Sequence, residues 1–207
     1  MPQDSTATKA RLLDAAFAEF AQYGLAGARV DRIAEAAQAN KRLIYVYYGS
    51  KEQLFDAVLA QRVGALFGAV PFSAEDLPGF VGSLFDHLVA SPQLLRLARW
   101  RQLERVESSA VETDWTRETV EAIAQAQQRG VITADFAPAD LLTLLLGMTT
   151  CWYSFPSAIS EVAVVDARSP QRLQQSRAAL TTAACRLLAL SPHAHPHRAG
   201  AQTATPQ

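Results

Sequence analysis

The stretch from Arg29 to Lys51, RVDRIAEAAQANKRLIYVYYGSK, constrains this chain more than any other. Val30, Ile33, Ala34 and Ala37 recur at helical spacing and give a first short helix, over 29–37, one apolar face to dock on a core. Gln38, Ala39 and Asn40 interrupt the pattern. Asn40 is suited to cap a second helix, because its side-chain oxygen can accept from the unpaired N–H groups of a first helical turn. That second helix, over 41–48, opens with Lys41 and Arg42 and continues through Leu43, Ile44, Tyr45, Val46, Tyr47 and Tyr48. Cations at its exposed beginning and tyrosines along its length are not the composition of a core helix. Two short helices joined by a tight turn, the second one cationic, fit a helix-turn-helix whose second member enters the major groove of DNA.

Charge distribution agrees with this reading better than net charge does. The whole chain carries a formal −1, yet 29–51 holds Arg29, Arg32, Lys41, Arg42 and Lys51 against only Asp31 and Glu35. The positive potential is therefore confined to one small surface, which a dimer would double. That favours reading a site over coating DNA. At 207 residues, with 49% hydrophobic and 19% charged, the chain can bury a substantial core as a globular protein. No apolar run reaches the roughly 18–20 residues of a membrane span, so no membrane partner is expected. The opening MPQDSTATKAR lacks a secretion signal, which makes the cytoplasm the expected compartment. Cys151 and Cys185 fall on predicted helices and are expected to be buried small apolar residues, not a disulfide or a metal site.

Helical periodicity runs along the rest of the chain. A first helix over 8–22 has Leu13, Ala16, Phe17, Phe20 and Ala21 on one stripe, with Arg11, Asp14, Glu19 and Gln22 facing water. Gly24 stands where a left-handed cap belongs. Ser50 and Gln53 have capping-box spacing and start a helix to about 67, long enough to connect a DNA-binding head to the rest of the chain. Further helices are predicted over 75–90, 92–107, 114–129, 138–155 and 170–190, about nine in all. The helix over 138–155 is too apolar all round to face solvent and must be covered on several sides. The fold class is all-α: a three-helix head over 6–52 containing the motif at 29–48, then a larger helical domain over 53–190. The tail, 191–207, is expected to be disordered.

The residues from Thr8 to Leu59 resemble the N-terminal domain of the tetracycline-repressor (TetR) family of bacterial transcriptional regulators. The likeness rests on Leu12, Leu13, Asp14, Ala15 and Ala16 with Phe17 and Phe20, then Tyr23-Gly24, Ile33-Ala34 and Lys41. The run Ile44 to Glu52 with Leu54 completes it, without a gap. The family often has glycine and threonine where Arg42 and Leu43 stand, a Ser or Thr cap at Arg29, and a turn glycine at Gln38. Lys41 and Arg42 are expected to contact guanine edges or phosphates, and Leu43 a thymine methyl. The resemblance implies phosphate contacts for Tyr45, Tyr47 and Lys51, with Tyr48 packed inward; Arg29 is expected to reach a phosphate.

The same resemblance implies a homodimer formed through the last two long helices and a small-molecule effector, of unknown identity, in the larger domain. Phe85, His87, Leu88, Arg96, Trp100, Met148, Trp152 and Phe155 are the candidate lining, with His87 and Arg96 orienting the ligand. Trp115, in a polar stretch, reads as an edge residue. His193, His195 and His197 read as part of a flexible tail and not as a metal site, and no cofactor is implied. The expected function is a ligand-responsive repressor that binds a near-palindromic double-stranded operator. Two alternatives stand beside it: a helical dimeric co-regulator with secondary DNA contact, and an all-α enzyme. The enzyme is disfavoured, since the sequence has no HExxH, CxxC, glycine-rich phosphate loop or visible nucleophile–base pairing.

Overall fold

The computed structural model describes residues 2–104, 109–151, 161–162, 166 and 169–188. Among these, nine helices and no strand are present. They are α1 (Pro2–Gly27), α2 (Val30–Ala36), α3 (Lys41–Tyr48), α4 (Lys51–Ala69), α5 (Leu77–Ala90), α6 (Pro92–Glu104), α7 (Ala110–Gln128), α8 (Pro138–Cys151) and α9 (Pro170–Leu188). The 191–207 tail, with its three histidines, lies outside the described residues.

Two apolar cores organise the helices. In the first, Leu12, Ala16 and Phe20 of α1 close on Ile33 of α2, Ile44 of α3, and Leu54, Phe55 and Val58 of α4. Phe20 and Phe55 meet edge to face at 5.0 Å. The second core joins Phe80, Val81, Leu84, Phe85 and Leu88 of α5 to Ile123 and Ala126 of α7, Leu141 and Leu145 of α8, and Leu180 and Ala184 of α9. α6 serves both: Leu97 is buried in the first core, while Leu94 and Leu95 are buried in the second.

The helix ends are set by identifiable caps. α1 is longer at both ends than 8–22 and contains a break at Gly24 (φ 70°, ψ −177°). A Cβ there would lie 2.8 Å from the Trp100 ring of α6, so both the backbone angle and the close approach require glycine. Asp76 caps α5 by accepting the Gly79 N–H at 2.9 Å, which starts that helix at Leu77. α7 begins at Ala110, not 114, because Ser109 and Glu112 form a reciprocal capping box. That Ser-x-x-Glu signature is legible in the sequence. Ser50 accepts the Gln53 N–H at 3.2 Å, but its own N–H donates to the Tyr48 carbonyl, so the return half of the expected box is replaced by a turn bond.

Three expectations about burial need correction. Glu19 does not face water: its side chain is 9% exposed and accepts from Arg32. Cys151 and Cys185 are both exposed on the single chain. The buried line of α9 runs through Ser176, Leu180 and Ala184, which turns the next residue, Cys185, outward; Cys151 lies about 200° around α8 from buried Thr149. α8 itself is covered on the side that carries Leu141, Leu142 and Leu145, while Leu144 stays open on the single chain.

Candidate nucleic-acid interface and internal cavity

The reading helix is held by its buried side and presents the other. Ile44 is fully buried, Leu43, Tyr47 and Tyr48 pack partly against the same core, and Lys41, Arg42, Tyr45 and Val46 are exposed. At about 100° per residue, positions 41, 42, 45 and 46 share one face, and 46 lies about 200° from Ile44. Val46 is 63% exposed. It is absent from the residues expected on DNA, although the position of Ile44 on the helical wheel is enough to find it. Leu43 and Tyr47 lean toward the core more than the sequence alone indicates.

The turn preceding α3 forms without glycine. Gln38 takes φ +50°, and the Ala39 N–H reaches back to the Ala34 carbonyl at 2.9 Å, the closure a glycine there would favour. Asn40 then caps α3 by accepting the Arg42 N–H at 2.8 Å. Arg29 sits at the N-cap of α2 with no side-chain cap of its own; Glu19 Oε1, on α1, accepts the Arg29 N–H at 2.9 Å instead. The same oxygen accepts from Arg32 Nε at 2.8 Å, and the Arg32 guanidinium lies over the Tyr23 ring at 4.3 Å. Arg32 is thereby engaged within the head, and its hydrogen bond to Glu19 raises its pKa. The Arg29 side chain remains exposed.

Lys41 Nζ pairs with Asp31 Oδ1 at 2.8 Å, and that hydrogen bond holds the ammonium above its ordinary pKa. Lys9 lies over the Tyr47 ring at 5.0 Å, and the Tyr48 hydroxyl donates to the Lys9 carbonyl at 3.3 Å. Burial pushes the Tyr48 phenol up. Lys51, half-buried in the first turn of α4, donates to the Ala28 carbonyl at 3.3 Å.

In the second core a cavity of about 450 Å³ opens between α4, α5, α6, α7 and α8. Its walls are mainly apolar, with Phe67, Phe80, Leu84, Leu88 and Trp115 among them. Trp115 is not an edge residue: its indole stacks on Phe67 at 4.2 Å and 6°. The polar lining is Gln102, Glu112, Thr116, Thr143 and Thr150. Glu112 is the acid among them and is already partnered by Arg101 of α6 and by the Ser109 N–H at 3.0 Å. Burial pushes its carboxyl up, but Arg101 and Ser109 outweigh this and leave it below the usual carboxylate value.

Of the candidate lining residues, Leu88 faces this cavity. Phe85 is buried in the packed core, and Arg96 is exposed. His87 lines a second cavity of about 440 Å³, with Phe17, Arg62 and the start of α6. Trp100 is turned toward Gly24 of α1, and Met148 toward a groove with Ala178, Ala179, Thr182 and Ala183 of α9. Trp152 and Phe155 lie outside the described residues. Phe85, Trp100 and Met148 lie on helices that wall the cavity together with α4 and α7, but sequence alone cannot choose their faces, since three helices of this domain are apolar on more than one side.

Comparison with known proteins matches two stretches of the chain. Residues 12–58 match the sequence profile described as bacterial regulatory proteins, tetR family. Residues 76–186 match the profile described as tetracyclin repressor-like, C-terminal domain. The chain is 44% identical over 150 residues to the HTH-type transcriptional repressor SCO4008 of Streptomyces coelicolor, covering 70% of this chain and 78% of that one. It is 42% identical over 111 residues to the HTH-type transcriptional repressor NicS of Pseudomonas putida, 50% of this chain and 52% of NicS. Among solved structures, SCO4942 of Streptomyces coelicolor superposes with a TM-score of 0.77 at 34% identity, covering 87% of this chain and 98% of its own.

Proposed function

The chain belongs to the TetR family of bacterial transcriptional regulators, and from that premise we propose that it is a ligand-responsive repressor binding a near-palindromic operator as a homodimer. The observation that carries the DNA-reading role is the open face of α3. Lys41, Arg42, Tyr45 and Val46 project from a helix fixed on its other side by fully buried Ile44. Lys41 and Arg42 suit base edges or phosphates, Val46 and Leu43 suit a thymine methyl, and Tyr45, Tyr47, Lys51 and Arg29 suit phosphate oxygens.

Two further features support the finer reading. The small-residue face of α9 (Ala178, Ala179, Thr182, Ala183) and Met148 of α8 line a groove on the single chain, and a second copy packed there would cover it. It would also enclose the neighbouring Cys185. The two reading helices of such a dimer must then match half-sites about 34–36 Å apart. The apolar cavity, with a few convergent polar groups, has the character of a small-molecule site. Residues 6–52 act as the head and 53–190 as the effector and dimerisation unit.

Selection of bound sequences from a pool of randomised duplexes tests the proposal. A repressor of this kind enriches a two-fold-related pair of half-sites. Recovery of an unselected pool, as from an enzyme or a protein-binding adaptor, would overturn it.

A further inference from the structure

α6, like α4, touches both the cavity and the head. Leu94, Leu95, Ala98 and Gln102 line the cavity, at steps that keep them on one face. Leu97 is buried in the head core, and Trp100 and Glu104 continue along that other face to meet α1. At the end of α6, Glu104 Oε2 accepts the Leu25 N–H at 2.5 Å, and Oε1 accepts the Ala26 N–H at 3.2 Å. These are the first amides after the break at Gly24, so an α1 hydrogen bond no longer serves them in the ordinary way. Three residues beyond Ala26, Arg29 opens α2. The joint is also held by Lys51, whose ammonium donates to the Ala28 carbonyl at 3.3 Å. The segment that sets the angle at which the helix-turn-helix leaves α1 is thus clamped by a carboxylate on the cavity's own wall helix. In the same final turn, Arg101 pairs with Glu112 at the cavity and Gln102 lines it.

We propose that Glu104 is the positioning residue through which the cavity controls the reading head. With Leu25 and Ala26 held, the head has one orientation on α1; an occupant that displaces the last turn of α6 withdraws the carboxylate and frees the joint. The inference rests on the reading of the cavity as an effector site. Its thermodynamic requirement is that the occupant binds the released arrangement better than the clamped one. A carboxylate accepting two backbone N–H groups is a short-range, charge-assisted contact, so a small movement of α6 is sufficient to break it.

Amide hydrogen exchange and duplex binding on the full chain test this together. Glu104→Gln keeps the shape but weakens the acceptor. It is expected to speed exchange at Leu25 and Ala26 about tenfold, the scale of one charge-assisted hydrogen bond. Affinity for the selected duplex should fall by a comparable factor with the salt slope unchanged, because no phosphate contact is lost. Gly147→Phe places a ring at the α8 edge of the cavity without altering α6; Gly147 lines the cavity, is exposed, and a Cβ built there meets nothing within 4 Å. It is expected to speed exchange at the same two amides and to weaken duplex binding in the parent chain, while adding less than about twofold in the Glu104→Gln background. Faster exchange in Glu104→Gln with unchanged duplex affinity would reduce Glu104 to a structural clamp and overturn the proposal. So would a Gly147→Phe variant whose Leu25 and Ala26 amides exchange as in the parent. If the parent enriches no duplex, the DNA-reading function itself fails, and the Gly147→Phe exchange result still decides whether cavity and joint are coupled.

Discussion

Lys41 Nζ stands 2.8 Å from Asp31 Oδ1, so the first cation of the reading helix is held by an acid on the helix before it. Both side chains are substantially exposed, and such a pair contributes little to stability. Its consequence is for binding. Asp31 neutralises part of the field that Lys41 presents and fixes the ammonium's position before DNA arrives. Asp31→Asn is expected to raise affinity for all duplexes and to steepen the dependence of log K on log salt by up to about 0.9 per chain. Titrations at several salt concentrations check this; a slope equal to the parent's would mean that Lys41 already makes its full phosphate contact.

Arg42 and Lys51 should separate specificity from affinity. Arg42→Ala is expected to cost about 1–3 kcal/mol at one base position and to relax the preference there. Lys51→Ala should weaken all sequences alike and flatten the salt slope. Binding of both variants to a library with single-position substitutions distinguishes the two patterns, and identical profiles would refute the assignment.

Gln38 adopts φ +50° in the turn between α2 and α3. A side chain in that region costs about 1 kcal/mol, which glycine avoids. Gln38→Gly is therefore expected to stabilise the chain by up to about 1 kcal/mol with its helical content unchanged. Urea unfolding measures it, and destabilisation would show that the Gln38 side chain contributes contacts that outweigh the strain.

Glu19 substitutes for the cap that Arg29 cannot provide. Glu19→Ala removes the acceptor for the Arg29 N–H, and loss of such a cap by itself costs about 1 kcal/mol. Because the carboxylate also holds Arg32, amide exchange in α2 should accelerate more than exchange in α7. Uniform acceleration would place the effect in global stability instead.

Glu112 gives the cavity wall an acid dependence of defined sign. Its folded pKa lies below the ordinary glutamate value, so its stabilising contribution is complete above that ordinary value. It is lost as the pH falls through the lower folded value, when protonation breaks the pair with Arg101. Glu112→Gln is expected to be less stable at neutral pH and to lose less stability on acidification. Parallel unfolding midpoints for parent and variant across the acid range would contradict this.

Much of the head was determined by local sequence. The spacing of Val30, Ile33 and Ala34, the cap at Asn40 and the run from Lys41 to Tyr48 specify two helices and a turn, because those signals act over one or two turns of chain. The same locality makes nine helices and the all-α class legible, and the Ser109–Glu112 capping box was there to be read as well. What the sequence did not determine is which faces meet. Periodicity separates a buried side from an exposed one only when a helix is amphipathic, and α5, α6 and α8 carry apolar residues on more than one side. Leu88, Trp100 and Met148 are therefore alike in sequence, yet one lines the cavity, one lies against Gly24 and one turns to the α9 groove.

The stretch from Arg29 to Lys51 by itself determined that a cationic helix would come after a capped turn. Only the tertiary structure decided that Glu19, ten residues before Arg29, would complete the start of α2, and that Glu104, nearly eighty residues beyond Leu25, would hold the joint before it. The physical reason is the same in both cases: a backbone N–H left without a local partner donates to whichever carboxylate the packing of the helices brings within reach, and that choice is made by the assembled fold.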